Sequence, residues 1–143
     1  MMELISQDQL RGKVHRLENI MLQLPQVEMK VVHHFSAGVY ARELHIPKGV
    51  VLTGAIHKYE NLNIMSKGDL TVMTENGPVR VQAPFTLVSP AGTKRVAYAH
   101  EDTIWTTIFG TDLKDPEEAV KHFTTNDEQA YLQFREELLA IGE

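Results

Sequence analysis

Between residues 6 and 24, Leu10, Val14, Leu17, Ile20, Met21 and Leu24 recur three or four positions apart. That period draws one apolar stripe along a helix. Ser6 and Gln9 stand at capping-box spacing at its start, and Pro25 stops it. The texture then changes. Short runs rich in Val, Ile, Thr, Tyr and Phe alternate with turn residues, which predicts strands near 31–36, 39–46, 50–58, 62–65, 70–75, 78–82, 85–89, 95–99 and 103–109. Asn76-Gly77 is the strongest hairpin signal, because both residues tolerate positive φ. Pro47-Lys48-Gly49, Ser66-Lys67-Gly68-Asp69 and Pro90-Ala91-Gly92 mark further turns. Eight or nine short strands without intervening helices predict an antiparallel sandwich or barrel. After Gly110 the helical period returns. Asp115 is placed to cap a helix that has Pro116 at its first position, and Thr125 with Glu128 offers a second capping box. Tyr131, Phe134, Leu138 and Ile141 then form the stripe of a last helix, expected to cover a sheet face or edge.

These segments make one domain of 143 residues: an N-terminal helix within 1–25, a barrel over 30–110 and a helical tail over 111–143. At this length a core forms without disulfide or metal staples. The chain has no cysteine, which removes disulfides, thiolate metal sites and cysteine nucleophiles together. No run approaches the roughly 18 apolar residues of a membrane span. Met1 to Ser6 has no basic segment leading into an apolar run, so we expect no signal peptide and a cytoplasmic location.

Charge is uneven. Residues 1–40 carry four bases and four acids, 41–110 seven and six, and 111–143 three and nine. The barrel is near neutral and the tail acidic. A nucleic-acid footprint needs clustered Lys and Arg, which this chain lacks.

The spacing of particular residues within the barrel is informative. Gly49 is followed by Ala55-Ile56-His57, then Asn61, then Gly68-Asp69. Farther on, Pro84 precedes Pro90-Ala91-Gly92, Arg95 and Ala99. This pattern resembles the two motifs of the cupin superfamily. The resemblance implies a double-stranded β-helix, or jelly roll, with the helices appended at its two ends, and it implies a homodimer. The stretch from Ile56 to Ile64, with Pro90 to Arg95, also resembles small cupin-like proteins encoded by bacteriophages, which would place the protein in the host cytoplasm.

The cupin metal ligands map by spacing onto Ala55, His57, Asn61 and Arg95. Alanine binds no metal, asparagine is a weak ligand and a guanidinium repels a cation. We therefore expect no metal and no cofactor. The less favoured alternative is a shifted divalent-metal set of His57, Glu60 and His100. Arg95 standing at a ligand position asks for an anion, either an internal carboxylate (Glu43, Glu60 or Glu101) or a bound molecule. Its neighbour Lys94 should point away, toward the surface or rim. Tyr40 and Arg42 share one strand face, which is either inward or outward. His33 and His34 face opposite ways.

The leading expectation is thus a binding protein for a small anionic, nucleotide-like molecule, with Tyr40, Arg42, His57, Glu60, Asn61, Arg95, His100 and Trp105 as candidate ligand contacts. A phage protein of this kind would blunt a host defence by holding a nucleotide signal. One alternative is an enzyme. The resemblance extends to metal-free epimerases and isomerases that use a His base and a Tyr acid, here His57 with Tyr40, Tyr59 or Tyr98. The other is a structural phage component with a filled barrel.

Overall fold

The computed structural model describes residues 5–141. Helix α1 (Gln7–Met21) begins with the expected reciprocal cap: Gln9 N–H donates to Ser6 Oγ at 3.1 Å and Ser6 N–H donates to Gln9 Oε1 at 2.9 Å. Its stripe is only half used, since Leu10 and Val14 are buried whereas Ile20 and Leu24 lie in solvent.

Eleven strands follow: β1 (Val31–Ser36), β2 (Val39–Ile46), β3 (Val51–Thr53), β4 (Ile56–His57), β5 (Asn61–Lys67), β6 (Asp69–Thr74), β7 (Gly77–Gln82), β8 (Phe85–Ser89), β9 (Val96–Ala99), β10 (Thr103–Gly110) and β11 (Thr124–Thr125). The run expected as one strand over 50–58 is broken at Gly54-Ala55 into β3 and β4. Helices α2 (Pro116–Phe123) and α3 (Glu128–Ile141) flank β11. Asp115 caps α2 as expected, with Pro116 in its first turn. At α3 the cap is Asp127, not Thr125. Asp127 Oδ1 accepts from Gln129 and Ala130, while the Thr125 hydroxyl serves the backbone of Asp127. Among the described residues no helix is long and apolar enough to cross a membrane.

Two antiparallel sheets build the barrel, in the orders β1-β2-β10-β5-β8 and β3-β9-β6-β7. Alternation sends one face of each inward. Ile46 and Met65 from the first sheet meet Leu70, Val72 and Ala99 from the second as the buried core. Gly68 lets the chain pass from one sheet to the other. Its φ is +108°, and a Cβ there would lie 2.6 Å from Thr103 Cα. The β6–β7 hairpin exists, but Thr74 pairs with Gly77, so Glu75-Asn76 form the turn and only the glycine takes positive φ.

Phe35, Tyr40, Phe109 and Phe123 stack in sequence, with ring centroids 4.6 to 5.8 Å apart, and Ala119 of α2 seals them. The short β11 pairs with β4 there, Thr124 opposite His57. Elsewhere α1 and α3 grip the Pro90–Gly92 turn. The fully buried Arg11 donates to Gly92 O at 3.0 Å, to Glu128 and to Asp8, and its guanidinium lies over the Tyr131 ring. Lys94, expected near the surface, is buried at 1% exposure. Its ammonium donates to Gly54 O at 2.6 Å and to Glu18 Oε2 of α1 at 3.0 Å.

Candidate functional site

The barrel interior is not packed shut. It holds a half-enclosed cavity of about 120 Å³, lined by Arg42, His57, Asn63, Arg95 and Thr107 on its polar side and by Trp105 and aliphatic side chains on the other. Register explains the polar side. Arg42 on β2 stands opposite Thr107 on β10, and Thr107 stands opposite Asn63 on β5, so all three point inward in one row. His57 enters from β4, held by its backbone to the motif turn: its N–H donates to Thr93 O at 2.9 Å, and its carbonyl accepts from Gly92 N at 2.7 Å. Arg95 follows that turn directly.

A hydrogen-bond network fixes the floor. Asn63 Oδ1 accepts from Trp105 Nε1 at 3.0 Å and from Thr107 Oγ1 at 2.9 Å. Asn63 Nδ2 donates to Asn61 Oδ1 and to Ser89 Oγ, both at 2.8 Å. Ser89 Oγ also accepts from Arg95 Nη1 at 2.7 Å. That bond occupies one of the five guanidinium donors of Arg95. Among the ion pairs of the described residues, neither Arg42 nor Arg95 has a carboxylate partner. Glu43, offered as a partner, faces outward between His34 and His45, and Glu101 pairs with Lys48.

Electrostatics follow from this lining. Burial, with the charges of Arg95 and Arg42 added, pushes His57 down from 6.5 to about 4. The imidazole is therefore neutral at pH 7, and its buried Nδ1 has no hydrogen-bond partner among the described residues. Burial likewise lowers Arg95 below the ordinary arginine value, opposed only by the more distant charge of Glu75.

The sequence candidates separate into two groups. Arg42, His57, Arg95 and Trp105 line the cavity. Tyr40 is inward too, but it is wholly buried in the aromatic stack, with its hydroxyl 2.6 Å from His33 Nδ1. Asn61 is buried beside the cavity, where it orients Asn63 and donates to Tyr59 O. Glu60 is exposed and borders an outer groove instead, because the inward position of β5 falls to Asn61 and Asn63. His100 bonds Thr71 Oγ1 at 2.6 Å, away from the cavity. The set His57, Glu60 and His100 is thus not brought together, and among the described residues no group of three or more His, Asp or Glu could hold a metal ion. The cavity's donor set does not fit a divalent cation, since two guanidinium groups and one imidazole face it without a carboxylate. None of Tyr40, Tyr59 and Tyr98, the proposed acids, lines the cavity. Sequence reading missed Asn63, Ser89 and Thr107. Asn63 lies two positions from Asn61 on the same strand face, and that alternation was the available signal.

No family model matches the chain, and no curated protein matches it. Solved structures do. Ectoine synthase from P. lautus superposes with a TM-score of 0.55 at 10% identity, over 71% of this chain and 78% of that one. KdgF from Halomonas sp. gives 0.49 at 20% identity over 66% and 88%. A cupin domain from Bordetella pertussis gives 0.47 at 16% over 62% and 98%. At these identities the likeness is one of fold. Two facing antiparallel sheets, with an N-terminal helix and two C-terminal ones, and the superposition on ectoine synthase together give the chain a jelly-roll fold of the cupin type.

Proposed function

We propose that the barrel binds a small anion between Arg42, Arg95 and His57. The observation that carries the reading is the unbalanced charge of the cavity wall: two guanidinium groups beside a neutral imidazole, with no carboxylate among the lining residues. A cation drawn away from water favours an anion beside it, and among the described residues neither Arg42 nor Arg95 has an ion-pair partner; only the more distant charge of Glu75 acts on Arg95. The planar fork of arginine matches a carboxylate or a phosphate.

Size restricts the guest. Pockets for drug-sized ligands run from roughly 300 Å³ upward, whereas this cavity measures about 120 Å³. A nucleotide would place only its phosphate inside. If that phosphate belongs to a host signal, the resemblance to phage proteins gives the binding a purpose in counter-defence.

The test is a calorimetric titration of the protein with inorganic phosphate and with acetate, repeated on Arg95→Ala. We expect saturable binding in the wild type and at least a tenfold loss in the variant, with its circular dichroism unchanged. Equal affinity in the two proteins would overturn the reading.

A further inference from the structure

The cavity changes polarity along the barrel axis, in rows that the strand register defines. The first row across the five-stranded sheet is Arg42, Thr107 and Asn63. Two residues deeper, ~7 Å along the strands, the row is Leu44, Trp105 and Met65. The facing sheet matches this deeper row with Leu52, Ala97 and Val72, paired directly across β3, β9 and β6. One end of the cavity therefore offers guanidinium, imidazole and hydroxyl donors, and the other offers only aliphatic and indole surface.

We infer that the site takes an amphipathic monoanion, a short aliphatic carboxylate whose head lies against Arg42, His57 and Arg95 and whose carbon chain runs down between Leu44 and Ala97. This inference rests on the anion-binding reading and narrows it. An inorganic phosphate would satisfy the head group but leave the apolar half unfilled. A carbon chain fills it and removes that surface from water. Volume sets the length. An apolar cavity of ~150 Å³ holds benzene, with its six carbons. The cavity here, at about 120 Å³, accommodates roughly five or six non-hydrogen atoms on that scale, which means propionate or butyrate.

The surroundings of Arg42 favour a single charge. Arg42 also borders an outer groove that carries Asp115, Glu117 and Glu118 against Lys121. A doubly charged phosphate ester near Arg42 meets more repulsion from those carboxylates than a monocarboxylate does.

The experiment is a nuclear magnetic resonance titration of the full chain with acetate, propionate, butyrate, valerate and hexanoate, with inorganic phosphate and 1-butanol alongside. Trp105 is the only tryptophan. Its indole N–H, bonded to Asn63 where the polar row meets the apolar one, gives a single unambiguous signal. Affinity should rise about fourfold per added methylene from acetate to butyrate, then stop rising by hexanoate. Butyrate should bind more tightly than phosphate and 1-butanol. A flat series, or phosphate binding more tightly than every carboxylate, overturns the amphipathic inference and leaves the anion reading standing. Butanol binding as well as butyrate, or no binding by any anion, overturns both.

Discussion

His57 should make the protein acid-sensitive in a pH window of its own. Its folded value of about 4 lies below the ordinary 6.5. The unfolded chain therefore binds a proton at this site that the folded chain refuses. Stability present above 6.5 is lost as pH falls from 6.5 toward 4. The full difference is about 3 kcal/mol, at 1.36 kcal/mol per unit. About 2 kcal/mol of it should be gone by pH 5, which is roughly 4–8 °C in melting temperature for a chain of this size. The groups facing His57 are Arg42 on β2 and Arg95 before β9, both cationic, while Phe109 of β10 stacks on the ring and Thr124 of β11 pairs with its backbone. None of these offers the imidazolium a counter-ion. Asp8 is held below its ordinary value by hydrogen bonds from Arg135 and Arg11, Glu18, against the effect of burial, by those from Thr53 and Lys94, and Glu43 by those from His45 and His34, so their contributions fade only at more acid pH, below about 4.5. The assay is urea unfolding of wild type and His57→Gln at pH 7 and pH 5, in buffers without carboxylate or phosphate. The wild type should lose about 2 kcal/mol more than the variant between the two pH values. Parallel losses in the two proteins would refute the argument.

Two further outcomes follow from neighbouring contacts. An anion seated against Arg42 and Arg95 supplies the charge that His57 lacks and so raises its pKa. Binding at pH 5–6 should then take up a fraction of a proton, and affinity should fall as pH rises; calorimetry in two buffers of different ionisation enthalpy measures the uptake, and zero uptake would contradict it. Lys94→Met leaves Gly54 O without its donor and Glu18 without its buried cation, which should cost about 2–3 kcal/mol and raise amide hydrogen exchange along α1 more than in β10. Uniform exchange changes would count against a latch at this position.

Much of the architecture was readable because it depends on local signals. The reciprocal Ser6–Gln9 cap, the Asp115–Pro116 start and most strand boundaries come from residues only a few positions apart. The inward positions of His57 and Arg95 followed from motif spacing, and those of Tyr40 and Arg42 from alternation once their face was known. Partners distant in sequence were not legible. Lys94 looked like a rim residue because its carboxylate, Glu18, lies 76 positions away on α1. Tyr40 was inward but lost to the site, since α2 returns from the tail to bury it. Glu60 and Asn61 competed for one inward position, and only the pairing of β5 with β8, Asn61 opposite Ser89, decides for asparagine. The β11 strand that lies beside His57 is two residues long, below the length at which periodicity carries information.

The inward-facing cations of this chain fall into two classes, fully buried and half-buried, and the contrast between them bears on function. Arg11 and Lys94 are almost fully buried, and each meets carboxylates: Asp8 and Glu128 for the first, Glu18 for the second. Each also reaches a backbone carbonyl, and each ties α1 to the barrel. Where this fold uses a buried cation as a fastener, it supplies the counter-ion. Arg42 and Arg95 are treated otherwise. They line a cavity, they have no ion-pair partner among the described residues, and the neighbouring imidazole is kept neutral rather than adding a third charge. A core that needed only stability would hold apolar side chains here, because replacing buried charge by well-packed hydrophobic residues is often neutral or stabilising. On the proposed function the cost is recovered when an anion enters, and the gain should then appear as stabilisation that grows with ligand concentration. The contrast between paired fasteners and unpaired cavity arginines supports the proposal that an anionic guest balances Arg42 and Arg95.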